Sequence, residues 1–216
     1  MISVTDHVEA PKPALQQRSR KTVDAIARAA LRLLRTSPYE EITVERIVAE
    51  AKSSTGSFYA RFPSKEDLLF HLAERILLEF VVPEASKRLD PEANAHCSVE
   101  ERMLKALGFV SDVFLVHRAV LRPLTLQMHV STDPRVKGSA TRFNAVVHGA
   151  FLRLMKASPE LQRVNDLDTA LSDIVTWIGA ALRQLLLLRD PPGARERRRA
   201  IAELGNCMAL YLRSKK

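Results

Sequence analysis

The sequence predicts an all-α protein, with a small three-helix head ahead of a larger helical body. Three observations carry that expectation. Apolar residues recur at i, i+3, i+4 and i+7 in segment after segment. No stretch alternates with a convincing period of two. Between segments stand helix signals, such as Ser98-x-x-Glu101, a cap followed by its acid, and Pro191-Pro192-Gly193, a stop. With 216 residues, 46% of them hydrophobic, the chain is long enough for a real core. The expected divisions are a flexible arm over 1–16, a head over 17–64 and a body over 65–216.

Residues 1–16 are polar, contain Pro11 and Pro13 and show no periodicity. Arg18, Arg20 and Lys21 end the arm. A helix is then expected from about Ser19 to Thr36. Val23, Ile26, Ala27, Ala30, Leu33 and Leu34 share one face, and Lys21, Arg28, Arg32 and Arg35 the opposite one. A one-signed face of this kind fits a polyanion. Arg18, Arg20 and Lys21 are assigned to phosphate, and Arg28 and beyond to solvent. Ser37–Glu41 is a linker in which Tyr39 is expected to pack.

Thr43 is positioned to cap a short helix whose stripe is Val44, Ile47, Val48 and Ala51. Lys52-Ser53-Ser54 interrupts it. Ser53 or Ser54 can cap a second short helix to about Ala60, anchored inward by Phe58 and Phe62. Pro63 stops that helix, and Ser64 to Asp67 opens a third. Two short helices around a tight turn, the second slim and edged by Ser54, Thr55, Gly56 and Ser57, suit a major groove about 12 Å wide.

The run Thr43 to Leu68 resembles the DNA-binding signature of TetR-type bacterial repressors, through Thr43, Val44, Ile47, Ala51, Ser54, Gly56, Tyr59, Phe62, Ser64, Lys65 and Leu68. Val48 stands where that family usually has alanine, and Lys52 where it has the turn glycine. Holding a non-glycine residue in the left-handed region costs about 1–2 kcal/mol. By the resemblance, Thr43, Tyr59 and Lys65 would bind phosphate. Ser54, Thr55, Ser57 and Arg61 would face base edges, and Gly56 would let the backbone come close.

After Ser64 the pattern stays helical. Helices are expected from Lys65 to about Leu89, shortened or kinked at Pro83, and from Ser98 to about His117. Others run from Leu121 to Val130 across Pro123, from Pro134 (capped by Asp133) to Lys156, from Leu167 to Arg189 and from Ala194 to Arg213. The Leu167 helix is apolar on more than one stripe, and Ile201, Leu204, Met208 and Leu212 stripe the last one. Gly179, Ala180 and Gly205 are read as points of close helix approach. The resemblance implies homodimerisation through these two helices. It also implies a ligand pocket between Phe80 and Trp177, with Phe109, Phe114, His117, Met128, Phe143, His148, Phe151 and Trp177 as possible walls.

The net charge of +8 is compatible with a nucleic-acid partner. Two distant cysteines, Cys97 and Cys207, point to a reducing compartment. The N-terminal stretch lacks the apolar run of a signal peptide. Ile174–Leu188, interrupted by Arg183 and Gln184, is read as too short to span a bilayer, so a cytoplasmic location is expected. No acid, base or nucleophile constellation and no metal-ligand spacing can be assembled, so neither catalysis nor a cofactor is expected. The expected function is that of a DNA-binding transcriptional regulator on a palindromic operator, released by a small apolar or amphipathic ligand. The competing reading is a helical ligand-binding or scaffolding protein with a vestigial head.

Overall fold

The computed structural model describes residues 13–130 and 134–215, and every regular element among them is helical. They form two compact units divided between Leu68 and Leu69. Most of the expected arm lies outside the described residues. Its last part, from Pro13, is already helical, so the first helix, α1 (Pro13–Leu34), begins earlier than expected. Proline suits a first helical turn because its φ is fixed and its N–H is not needed there. The helix also ends before Thr36, where Arg35 N–H donates to Arg32 O and Thr36 N–H to Leu33 O, tightening the last turn.

In the head, α2 (Val44–Glu50) and α3 (Thr55–Tyr59) follow, and α4 (Lys65–Ile76) begins. Thr43 Oγ1 accepts from Arg46 N at 3.3 Å and Ser54 Oγ from Ser57 N at 3.1 Å, which makes these residues the two N-caps. Ile26, Ala27, Ala30, Tyr39, Ile42, Ile47, Val48, Phe58, Phe62 and Leu68 are buried.

The turn between α2 and α3 is a Schellman motif. Ser53 N–H donates to Val48 O at 2.8 Å and Lys52 N–H to Ala49 O at 3.1 Å. Such a turn needs a left-handed residue, and Lys52 supplies it at φ 51°. Lys52 therefore accepts the strain and the turn keeps its form. Lys52→Gly should stabilise the head by roughly 0.5–1 kcal/mol, the left-handed cost less glycine's added chain entropy. Urea unfolding with an unshifted midpoint would refute this.

In the body, α4 runs on through a π-turn segment, Leu77–Val81, into α5 (Val82–Arg88). Pro83 neither breaks nor shortens it. Val82 N–H reaches back to Leu77 O, and Pro83 falls in the first turn of α5, where its missing donor matters least. The helix α6 (Val99–Val116) starts at a complete capping box between Ser98 and Glu101. Next come α7 (Arg118–Val130), which starts before Leu121 and contains Pro123, and α8 (Pro134–Lys156), whose expected cap Asp133 lies outside the described residues. The chain ends with α9 (Leu167–Arg183), a π-turn segment Gln184–Leu188, and α10 (Ala194–Arg213).

The centre of the body is α6, which buries Met103, Ala106, Leu107, Phe109, Val113 and Phe114. α10 lies along it, and a Cβ on Gly205 would come within 2.9 Å of Leu104 Cδ2. Gly205 thus serves a close approach of helices, as the sequence suggests, and the neighbour is α6 of the same chain. Over Leu167–Leu188, with mean hydropathy 1.4, α9 and its extension are long and apolar enough to cross a membrane by length and composition. Leu171, Ile174, Ile178, Leu182, Leu186 and Leu187 are nonetheless buried in the protein core.

Candidate functional site

The exposed polar edge of the head is built from α3. Phe58 is fully buried and fixes the helix, with Tyr59 edge-on at 5.3 Å and Phe62 at 5.6 Å between ring centroids. The opposite side presents Thr55, Gly56 and Tyr59, the last 54% exposed. Gly56 has a negative φ, and the nearest atom to a Cβ there would be Ser54 Oγ at 4.0 Å. The fold itself therefore does not require glycine at this position. Ser57 is partly exposed, and its Oγ accepts from Ser54 Oγ at 3.1 Å, leaving its own proton free to donate.

Other residues assigned to DNA are committed locally. Ser54 is occupied as the α3 cap. Thr43 Oγ1 caps α2, and its hydroxyl, with the Glu45 backbone N–H, holds the Glu45 carboxyl below the usual range. Arg61 folds back, donating from Nη1 to Ser57 O at 2.8 Å, while its Nε is buried without a partner.

Lys65 differs most from its assignment. Its Nζ donates to Tyr39 O and Ile42 O, both at 3.0 Å, and lies 4.1 Å from the Tyr39 ring centroid. Glu66 completes the clamp by accepting from the Tyr39 hydroxyl at 3.1 Å. Burial, reinforced by Glu66, raises the Tyr39 phenol above its ordinary value. Two of three ammonium donors thus brace the α1–α2 connection, leaving one for phosphate.

Basic groups free of protein partners lie elsewhere. Arg20, Lys21, Arg28 and Lys52 are exposed and make no ion pair or side-chain hydrogen bond among the described residues. Arg32, by contrast, pairs with Glu50 at 2.6 Å. The side chain of Arg18 lies outside what the structure describes. Lys52 stands next to the start of α3, where the sequence alone points only to turn strain.

Within the body, α6, α8 and α9 surround a cavity of about 320 Å³. Phe114, Phe143, His148 and Phe151 line it, and Met128 lines a smaller recess that shares Phe114 and Phe143 with it. Phe109, His117 and Trp177 do not line it. Phe109 is in the core beneath the Arg88 guanidinium, 5.4 Å from its ring. His117 packs edge-on against Phe80 at 4.6 Å, and its burial lowers the imidazole pKa. Trp177 is 44% exposed and packs on Tyr211. The sequence placed Asn144 and Arg183 in no pocket, yet both line this one. The available signal was Arg183 itself, a lone cation inside an apolar stretch.

A helix-turn-helix with a free polar edge, together with an all-helical body holding a cavity, is the make-up of a DNA-binding regulator. Residues 26–72 match the family model "Bacterial regulatory proteins, tetR family". Solved structures with the same fold include a TetR transcription regulator from Haloarcula marismortui, at TM-score 0.63 and 19% identity, covering 91% of this chain and 98% of that one. A putative fatty acid metabolism regulator from Clostridium perfringens aligns at TM-score 0.58 and 18% identity, covering 87% and 96%. A putative transcriptional regulator from Saccharomonospora viridis, in complex with choline, aligns at TM-score 0.59 and 15% identity, covering 87% and 95%. Comparison with curated proteins finds no sequence match. The stretch 26–72 is thus similar to the tetR family of bacterial regulatory proteins, and the chain as a whole shares its fold with these solved regulators.

Proposed function

We propose that the protein is a cytoplasmic repressor that binds a palindromic operator as a homodimer and leaves it when a small molecule occupies the body cavity. On this reading the domain over 17–64 binds DNA, and the body over 65–216 binds ligand and dimerises. The observation that carries the proposal is the free edge of α3: Thr55, Gly56, Ser57 and Tyr59 stand opposite a buried Phe58. An edge on which Thr55 and Tyr59 are exposed and the Ser57 hydroxyl proton is free to donate is available to base edges and phosphates. Thr55 and Ser57 are assigned to bases, and Tyr59, Arg20 and Lys21 to phosphate, with Lys52 joining them. Thr43, Ser54 and Lys65 act mainly by holding the reading helix in place. A vestigial head is disfavoured, because no other described residue covers the exposed Thr55 and Tyr59.

Dimerisation draws support from Trp177 on α9 and Leu210 on α10, the latter 61% exposed. Large apolar groups at the surface of two long helices fit a second copy better than water. A two-fold pair of heads would place its reading helices on half-sites about 34–36 Å apart. Ligand would release DNA by favouring a dimer whose helices no longer match that spacing. Choline in the Saccharomonospora viridis regulator supports a ligand-holding body in this fold.

Selection from random duplex DNA by the purified protein should return an inverted repeat. The same selection with Gly56→Ala tests the role of α3. No described residue opposes the added methyl, and alanine favours a helix by about 0.5–1 kcal/mol, so the variant should fold at least as well. It should nevertheless bind the selected site at least ~10-fold more weakly, because the methyl stands where the backbone meets DNA; 1.4 kcal/mol is tenfold. Undiminished binding by Gly56→Ala would remove α3 from the interface. Selection without any consensus would remove the regulator reading.

A further inference from the structure

The cavity is mostly apolar, with Asn144, His148, Thr176 and Arg183 as the polar residues among those that line it. Phe114, Phe143, Val147 and Phe151 are among its walls, and among the described residues no aspartate or glutamate lines it. Arg183 does, and its guanidinium has no hydrogen bond or ion pair among the described residues. An arginine carries five donors, and most half-buried examples spend them on carbonyls or carboxylates. In this body Arg102 and Arg118 do so, on Leu154 O and Leu186 O respectively. Burial lowers the guanidinium pKa of Arg183 from its ordinary value, the mark of a charge removed from water without compensation.

The position of Arg183 has a cause in the sequence. Helical side chains lean back over the preceding turn, and that turn carries Gly179 at i−4. A Cβ on Gly179 would lie 3.1 Å from Arg183 Nη1, so the missing side chain makes the space in which the guanidinium lies. A second polar group shares the cavity. His148 lines it, and its Nε2 is buried with no hydrogen-bond partner. An apolar chamber thus contains an unopposed cation and an unsatisfied imidazole nitrogen, and both can be satisfied by an anionic oxygen ligand.

We propose that the cavity takes an organic anion with an apolar body, a carboxylate whose oxygens are held by Arg183 and whose hydrocarbon lies against Phe114, Phe143 and Phe151. This rests on the ligand-binding role proposed above and adds the charge of the ligand. An Arg–carboxylate pair in a water-poor site is among the stronger polar contacts, while an ammonium headgroup would face repulsion.

Calorimetric titration of the full chain with decanoate, decanamide and decyltrimethylammonium tests the charge. Decanoate should bind tightest and the ammonium weakest. Arg183→Gln should weaken decanoate roughly 10-fold or more while leaving decanamide within about 2-fold, and Arg183→Lys should fall between. If Arg183→Gln does not fold, the wild-type ratio of decanoate to decanamide decides. Equal binding of the acid and the amide, or of decanoate by wild type and Arg183→Gln, overturns the anion assignment and leaves the cavity as a ligand site. Binding of none of the three by folded wild type overturns the ligand reading as well.

Discussion

Phe58→Ala should cost about 3–5 kcal/mol and abolish operator binding. Phe58 is fully buried, wedged between Tyr59 and Phe62 at 5.3 and 5.6 Å. Truncating such a ring forfeits its transfer energy and adds the cost of a cavity that the surroundings only partly close. The head up to Leu68 is a small compact unit, and units of that size have only a few kcal/mol of stability. A loss of this magnitude therefore unfolds it in most molecules. Since α3 has five residues, too few to be helical without tertiary support, the reading edge disappears with the ring. Ligand titration of the body reports whether the damage stays local. Phe58→Leu should retain most of the stability and detectable DNA binding. Full-strength operator binding by Phe58→Ala would show that α3 is held by something other than this ring.

Legibility in the sequence followed the range of the forces involved. The head could be read because its signals are local. Ser54 caps Ser57 three residues on, and the turn strain sits on Lys52 itself. A lysine at a helix start suits a phosphate, which is what the sequence alone suggests for Lys65. Its actual partners, Tyr39 O and Ile42 O, lie 26 and 23 residues away and are reached only by folding. Body helices were likewise visible as stripes, but a cavity depends on helix rotation. Trp177 and Ile178 are neighbours, and a turn of 100° puts Ile178 on the cavity wall and Trp177 at the surface. Phe109 and Val110 divide in the same way, with Val110 on the wall. Gly205 signalled close approach correctly, and periodicity could not say that the neighbour was Leu104 of the same chain.

Arg102→Met should destabilise the body by about 3–5 kcal/mol, although it exchanges a charged side chain for an apolar one of similar length. Arg102 is 1% exposed, yet among the described residues no carboxylate pairs with it. It donates from Nε to Cys97 O at 3.1 Å, from Nη1 to Leu154 O at 2.7 Å and from Nη2 to Ala95 O at 3.3 Å. Leu154 O is one of the orphan carbonyls at the C-terminal end of α8, and the other two belong to the loop before α6. One guanidinium thus ties the end of α8 to the start of α6. Replacing a buried charge by an apolar group is often harmless when both partners leave together. Here the three carbonyls stay behind, and each buried one left unpaired costs about 1–3 kcal/mol. Arg102→Lys should recover only part of the loss, since one ammonium cannot span three acceptors set by a planar fork. The consequence reaches the cavity, because α8 carries Phe143, His148 and Phe151 on its wall. Ligand affinity should therefore fall along with the urea midpoint. A loss below about 1 kcal/mol would mean that water reaches the abandoned carbonyls, which would make the cation dispensable to the core.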